Sequence, residues 1–414
     1  MVKTKRNKVI SVPIRLLLTE RGVDHFLKSN QPLSRFRLSN AQQEYGVELR
    51  DFTPATVQKM MRLDFVGKIE LAVTDIAENR AGLIDFTKLV IYGMLYRQFD
   101  TEIFEALMES DLVRTWNRHN AKNPIDFQTN VNTAYLQRTL QRNPDGVAAM
   151  KRDVLEEVFR NITRSTTLIT EEKRLHSLIA ERFLDTLGPL TQFLLVAHRG
   201  SPSYHDMTAL MQHRLTSYLQ KTSVAEYLAL MLLEVLTSLK HGGSLVRGRS
   251  PDNGRRNGDD AYGPRRAGVT TADPDGARAG SGVSGEHGAP GASPSDAEVD
   301  AECGAEAIGL LWKIRRHSRT PGDRGRLHLV ISNRHNRFEE VKHAVNDRAN
   351  HAVNRKSLND FYLQDPEAAD SNSLGLYYLS FLHEACRKVG IHFESFVHNV
   401  PEEDRTMVNL VLHF

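Results

Sequence analysis

At 414 residues the chain is long enough for two or three domains with sizeable apolar cores, so its stability requires neither disulfides nor metals. Its 54 Lys and Arg against 51 Asp and Glu leave a formal charge of +3, which excludes a strong global field for nucleic acid or anionic lipid. The two cysteines, Cys303 and Cys386, stand far apart in sequence, which argues against a disulfide framework and suits a reducing compartment.

The basic start Met1 to Lys8 followed by the apolar run Val9 to Leu18 has the outline of a secretion signal. Arg15 interrupts that run, and Glu20, Arg21 and Asp24 follow with no small-residue cleavage site before them, so a cytoplasmic location is expected. No stretch elsewhere holds the ~18 uncharged apolar residues that a bilayer crossing requires, so no membrane span is expected. Thr53 and Pro54 read as an N-cap and first-turn proline opening a helix to Arg62. Phe65 to Val73 alternates as a half-buried strand. From Leu83 to Trp116 apolar residues recur at helical spacing, and Asp100 with Thr101 reads as a stop and new cap, which predicts two packed helices.

Asn123-Pro124 and Asn143-Pro144-Asp145-Gly146 are turns, because the residue before proline avoids helical dihedrals and Asp-Gly tolerates unusual ones. They set a boundary near residue 146, leaving 1–145 as an N-terminal α+β module of no recognised family. Val147 to Asn161 and Glu171 to Leu187 carry apolar stripes between charged faces, so 146–203 reads as connecting or dimerisation helices that pair with a protein partner or make a homodimer. Gly188-Pro189 and Gly200-Ser201-Pro202 then break the chain ahead of helices over 204–220 and 223–241.

From 242 to 303 the chain is rich in Gly, Ser, Arg, Asp, Ala and Pro and nearly empty of large apolar residues, which predicts a disordered insertion. Its arginines, among them Arg247, Arg249, Arg255 and Arg256, offer a nucleic-acid or membrane tether; an inert insertion is the simpler reading, since long loops add little closure entropy. Beyond it, Ile308 to Arg315 and Arg326 to Ser332 predict an antiparallel strand pair joined by a turn-rich link. Surface helices are expected over 338–358, an amphipathic helix from Gly375 to Val389 ended by Gly390, and a closing hairpin of 391–398 and 406–414. The fold class is α+β: a largely helical N-terminal region followed by a two-layer α/β sandwich over 204–241 and 304–414.

Three stretches carry candidate chemistry. The helix from Glu226 to His241 ends with Glu234, Ser238, Lys240 and His241 on adjoining faces; the strand from Leu327 ends at Asn333, followed by His335; and Leu374-Gly375-Leu376 opens a helix. In this order they resemble the GHKL ATPase fold, shared by histidine-kinase catalytic domains, anti-sigma-factor kinases and their degenerate relatives. In that family a Glu-x-x-x-Asn-x-x-Lys/His helix holds magnesium on the ATP phosphates through the asparagine. The resemblance puts Glu234 and His241 at the matching positions, with Ser238, a metal-touching hydroxyl of shorter reach, where the asparagine belongs. The family's adenine-binding aspartate falls on Asn333, and His335 stands at the first glycine. Its Gly-x-Gly-Leu phosphate turn falls on Ser373 to Leu376, preserving Gly375 and Leu376. The resemblance implies ATP and magnesium as the cofactors to test.

Other constellations are thin. His198, His205 and His213 are spaced too widely for a compact metal set, and so are His343 and His351. His383-Glu384-Ala385-Cys386 offers a nucleophile and a base whose neighbours point apart on one helix, so Cys386 reads as structural. Neither a phosphoacceptor histidine stretch nor a Gly-x-x-x-x-Gly-Lys-Ser/Thr loop is present. The reading that follows is a cytoplasmic signalling or regulatory protein with a degenerate ATPase-like domain acting through protein–protein interaction. Its alternatives are an active anti-sigma-type protein kinase using Glu234, and a nucleic-acid-associated factor using the basic N-terminus and the arginine-rich insertion. The near-neutral charge makes nucleic acid the less favoured partner.

Overall fold

The structure, a computed structural model, describes residues 9–37, 43–73, 76–126, 132–240, 308–315, 325–334, 342, 345, 374–403 and 405–414. In chain order these form β1 (Ile10–Leu18), α1 (Glu20–Lys28), β2 (Ser34–Arg37), β3 (Gln43–Phe52), α2 (Pro54–Arg62), β4 (Val66–Val73), α3 (Ile76–Glu109), α4 (Asp111–His119) and α5 (Thr133–Arg142). There follow α6 (Pro144–Arg164), α7 (Thr170–Asp185), α8 (Pro189–Ala197), α9 (Pro202–Lys221), α10 (Ser223–Lys240), β5 (Ile308–Arg315), β6 (Arg326–Arg334), α11 (Leu374–Lys388), β7 (His392–Val400) and β8 (Arg405–His413). The insertion expected over 242–303 and the surface helices expected over 338–358 lie outside the described residues, save Lys342 and Val345.

The strands form one eight-stranded antiparallel sheet in the order β2-β3-β1-β4-β5-β6-β8-β7. Its centre is the β4–β5 ladder, which runs in register from Lys68↔Lys313 to Val73↔Ile308. The strands β1–β4 and β5–β8 therefore share a layer, and the strands expected of a C-terminal sandwich are the second half of a larger sheet. Period-2 alternation makes one face apolar: Val12, Ile14 and Leu16 of β1, Ile69 and Leu71 of β4, Leu310 and Trp312 of β5, and Leu329, Val408 and Leu410 beyond are all buried. The other face is mixed, with Leu17, Val330 and Val411 buried among polar pairs: Arg15 is bonded to Glu70 at 3.2 Å, Lys68 paired with Glu44, and His328 meets Asn409 at 2.9 Å.

The long helix α3 is the spine of the molecule. At about 1.5 Å per residue its 34 residues span roughly 50 Å. Its first half lies on the apolar sheet face, where Phe86 meets Trp312 edge-on at 6.0 Å between ring centroids. Its second half roots the α6–α9 bundle through a ring cluster, with Tyr96 and Phe99 against Phe183 of α7 at 4.6 and 5.2 Å and Tyr218 of α9 against Phe99 at 5.5 Å. Edge-on ring pairs of this kind stabilise a core by about 0.5–1.5 kcal/mol each beyond their buried area.

The helix break expected at Asp100 and Thr101 does not occur. Thr101 Oγ1 donates back to Arg97 O at 3.0 Å and Asp100 accepts from the distant Gly188 N at 2.7 Å, so neither side chain caps a new helix. The break comes instead at Ser110, before α4. The cap read at Thr53 does form, its Oγ1 accepting from Thr56 N, whereas Asn143 to Gly146, expected as a turn, is the N-cap and first turn of α6, with Asn143 Oδ1 accepting from Gly146 N, and Ser201 in the expected break caps α9 by accepting from Tyr204 N.

Candidate functional site at one end of the sheet

The helix α10 is held at its start by an ion pair between Glu226 and Lys88 of α3, 2.6 Å long. Its buried stripe of Leu228, Met231, Leu232 and Leu236 faces the core. Leu232, Leu233 and Leu236 pack around one apolar spot with Leu71 of β4, Leu310 and Trp312 of β5, and Leu83 and Phe86 of α3. The helix therefore runs antiparallel to α3 and ends above the Leu71–Leu310 row of the sheet. The backbone of Glu234 and Ser238 lies in its last two turns, and His241 lies outside the described residues.

One row farther along β6, on the same apolar face, comes Asn333, whose register partner on β8 is Thr406, which in turn pairs with Asn399 of β7. The preceding row is apolar throughout, Leu71–Leu310–Ile331–Val408–Val397. Strand register thus sets three polar residues in one row beside the buried Ile308 of β5. Thr406 is 5% exposed, and Asn399 Oδ1 is buried with no hydrogen-bond partner among the described residues. A buried amide oxygen without a donor costs about 1–3 kcal/mol, which is the kind of debt a ligand or an internal donor settles.

The connection of α11 to β7 sets the third element. Ile391 N donates to Cys386 O at 2.9 Å and His383 stacks edge-on against Phe393, so the C-terminal end of α11 sits where β7 begins, beside His413. Leu379, Leu382 and Cys386 are buried, which lays the helix along the sheet. Its first turn carries Gly375 and Leu376. At backbone level α11 packs on α10, whose last turns carry Glu234 and Ser238, while Asn333 lies near the end of β6. Thr406 and Asn399 escaped the sequence reading because only strand register sets them beside Asn333; the sequence signal available was the polar residue in each alternating run.

Two other places bear on chemistry. Burial pushes the Cys386 thiol up to about 12, so it stays protonated and inert, as a structural cysteine should. A groove of about 660 Å³ beside α6 and α9 is lined by Asp153, Glu156, Arg199, Tyr204, His205 and Gln212. Its Asp153 carboxylate accepts from Arg199 Nε at 2.7 Å and NH2 at 3.2 Å and from Tyr204 Oη at 2.7 Å. The Arg199 hydrogen bond, aided by Tyr204, holds Asp153 below the usual carboxylate range, so it works as a clamp between α6 and the start of α9 rather than as a base.

The chain belongs to the family of unknown function DUF8084. The family matches residues 5–241 and 300–414, leaving out 242–299 and taking in every element of the sheet end. The chain is also 27% identical, over 423 aligned residues covering 100% of both chains, to a protein of Treponema pallidum (strain Nichols) described as uncharacterized. No solved structure matches. Among the described residues no helix is long and apolar enough to cross a membrane.

Proposed function

We propose that this member of the family is a cytoplasmic regulatory protein whose C-terminal half is a degenerate relative of the GHKL ATPases, and that it acts by binding a protein partner rather than by turning over nucleotide. One observation supports the reading: strand register sets the polar residues Asn333, Thr406 and Asn399 in one row near the end of a largely apolar sheet face. The element order supports it as well, since a polar-ended helix, a strand pair, a second helix and a closing hairpin follow one another as they do in that family.

The donor set at these positions does not fit a hydrolysing site. Ser238 offers a short hydroxyl in place of a metal-binding amide, and Asn333 offers one amide oxygen in place of a carboxylate. His335 removes the glycine that lets a backbone approach a ligand closely. In this reading the row reads the hydrogen-bonding edge of a flat ligand or is filled by the chain's own side chains, and the fold transmits partner binding.

Thermal denaturation with ATP and magnesium tests the proposal. A nucleotide at about 100 times its dissociation constant adds roughly 2.7 kcal/mol to stability. The expected result is a small shift or none at millimolar nucleotide and no phosphate release. Magnesium-dependent phosphate transfer that disappears in Glu234→Gln would overturn the proposal in favour of an active anti-sigma-type kinase. Tight binding to DNA or RNA that falls steeply with salt would overturn it in favour of a nucleic-acid factor.

A further inference from the structure

We propose that the outer face of α7 is a self-complementary dimer interface that seats antiparallel on the same face of a second copy of the chain. The inner face of this helix is spoken for, with Ile179, Ala180, Phe183 and Leu184 buried. Its outer face carries Leu175 and Leu178, 41% and 51% exposed, and its N-cap Ile169 is 67% exposed. Helices of soluble proteins ordinarily turn polar residues outward, and two leucines one turn apart on the solvent side are an apolar seam without a cover.

The charges around the seam say what covers it. Helical spacing places Glu171, Leu175, Leu178 and Arg182 on one line down the helix, a carboxylate at one end and a guanidinium at the other. A twofold axis crossing the helix between His176 and Ser177 sets Leu175 of one copy against Leu178 of the other. The same axis sets Glu171 of one copy against Arg182 of the other, because both pairs share that midpoint. Arg174 and Glu181 lie together on one flank, and the twofold keeps this flank on the same side, so they also meet across the seam. A parallel pairing would set each charge against its like. Among the described residues Arg182 makes one ion pair within its own chain, with Asp185 at 3.8 Å and the guanidinium 72% exposed, a contact that a closer carboxylate displaces. Isologous pairing of this kind is the commonest route to a dimer, and the small area makes a weak, concentration-dependent one. The proposal stands on α7 alone and does not depend on the sheet-end reading.

Sedimentation equilibrium of the full chain tests it. The expected result is a dimer that grows with protein concentration and that Leu178→Glu weakens by about tenfold or more. Glu171→Arg and Arg182→Glu should each weaken it too, and the two together should restore it, with circular dichroism confirming that every variant is folded. A chain that stays monomeric at high micromolar concentration would overturn the proposal. So would a dimer indifferent to Leu178→Glu, or single charge reversals that the double reversal fails to rescue.

Discussion

Asp100 shows how one side chain can be misread from its neighbours. In sequence it looks like a helix cap; in the fold it is a buried acceptor for Gly188 N, 88 residues away, between α3 and the start of α8. Burial pushes its carboxyl up to about 6, and the Gly188 amide, Arg62 and Arg97 pull it only part of the way back. The folded state thus holds the proton more tightly than the unfolded chain, whose aspartate titrates near ~3.9. The linked stability is full below about pH 4 and is lost as pH rises through about 6. Asp100→Asn keeps an acceptor for Gly188 and removes the charge. Urea denaturation should find this variant more stable than the parent by roughly 1–3 kcal/mol at pH 8 and level with it at pH 4. A variant weaker than the parent at pH 8 but level with it at pH 4 would show that the fold needs the charge.

The entry to α1 is set by packing of one element on another. Thr19 accepts from Gly22 N at 3.2 Å, donates its hydroxyl to Asp64 O at 2.6 Å, and donates its own amide to Phe65 O at 2.9 Å. Asp64 takes a positive φ of 65° to make that turn and is held by Arg97 at 3.0 Å. Gly22 lies so close beneath that a Cβ there would meet Phe65 O at 2.4 Å. Gly22→Ala should therefore lower stability by roughly 2–4 kcal/mol, read as a fall in melting temperature, because backbone is harder to move aside than a side chain. An unchanged melting temperature would mean that α1 is not seated on the start of β4. The sequence offered Thr53 and Pro54 as a legible cap, whereas the cap at Thr19 is tied to Asp64 and Phe65 across 45 and 46 positions and leaves no local signature.

Across the whole molecule, β4 pairs with β5 and α10 packs on both α3 and α11, so the parts before and after residues 242–299 complete each other. Each half alone would expose a sheet edge and the apolar face beneath it. Residues 1–241 and 300–414, produced as separate chains, should remain poorly folded when apart. Mixed, they should form a stable complex that melts in a single transition. Two fragments that each melt cooperatively and do not associate would refute the shared sheet.

Much of the local structure was written in neighbouring residues. The cap at Thr53, the helices α6, α7, α9 and α10, and the two C-terminal strand pairs follow from dihedral preference and apolar period, which act over a few residues. Strand order, the continuity of α3 through Asp100, and the meeting of Asn333 with Thr406 and Asn399 do not. Those depend on which apolar faces bury one another when segments distant in the chain close over a common core, and no short stretch of residues encodes its partner.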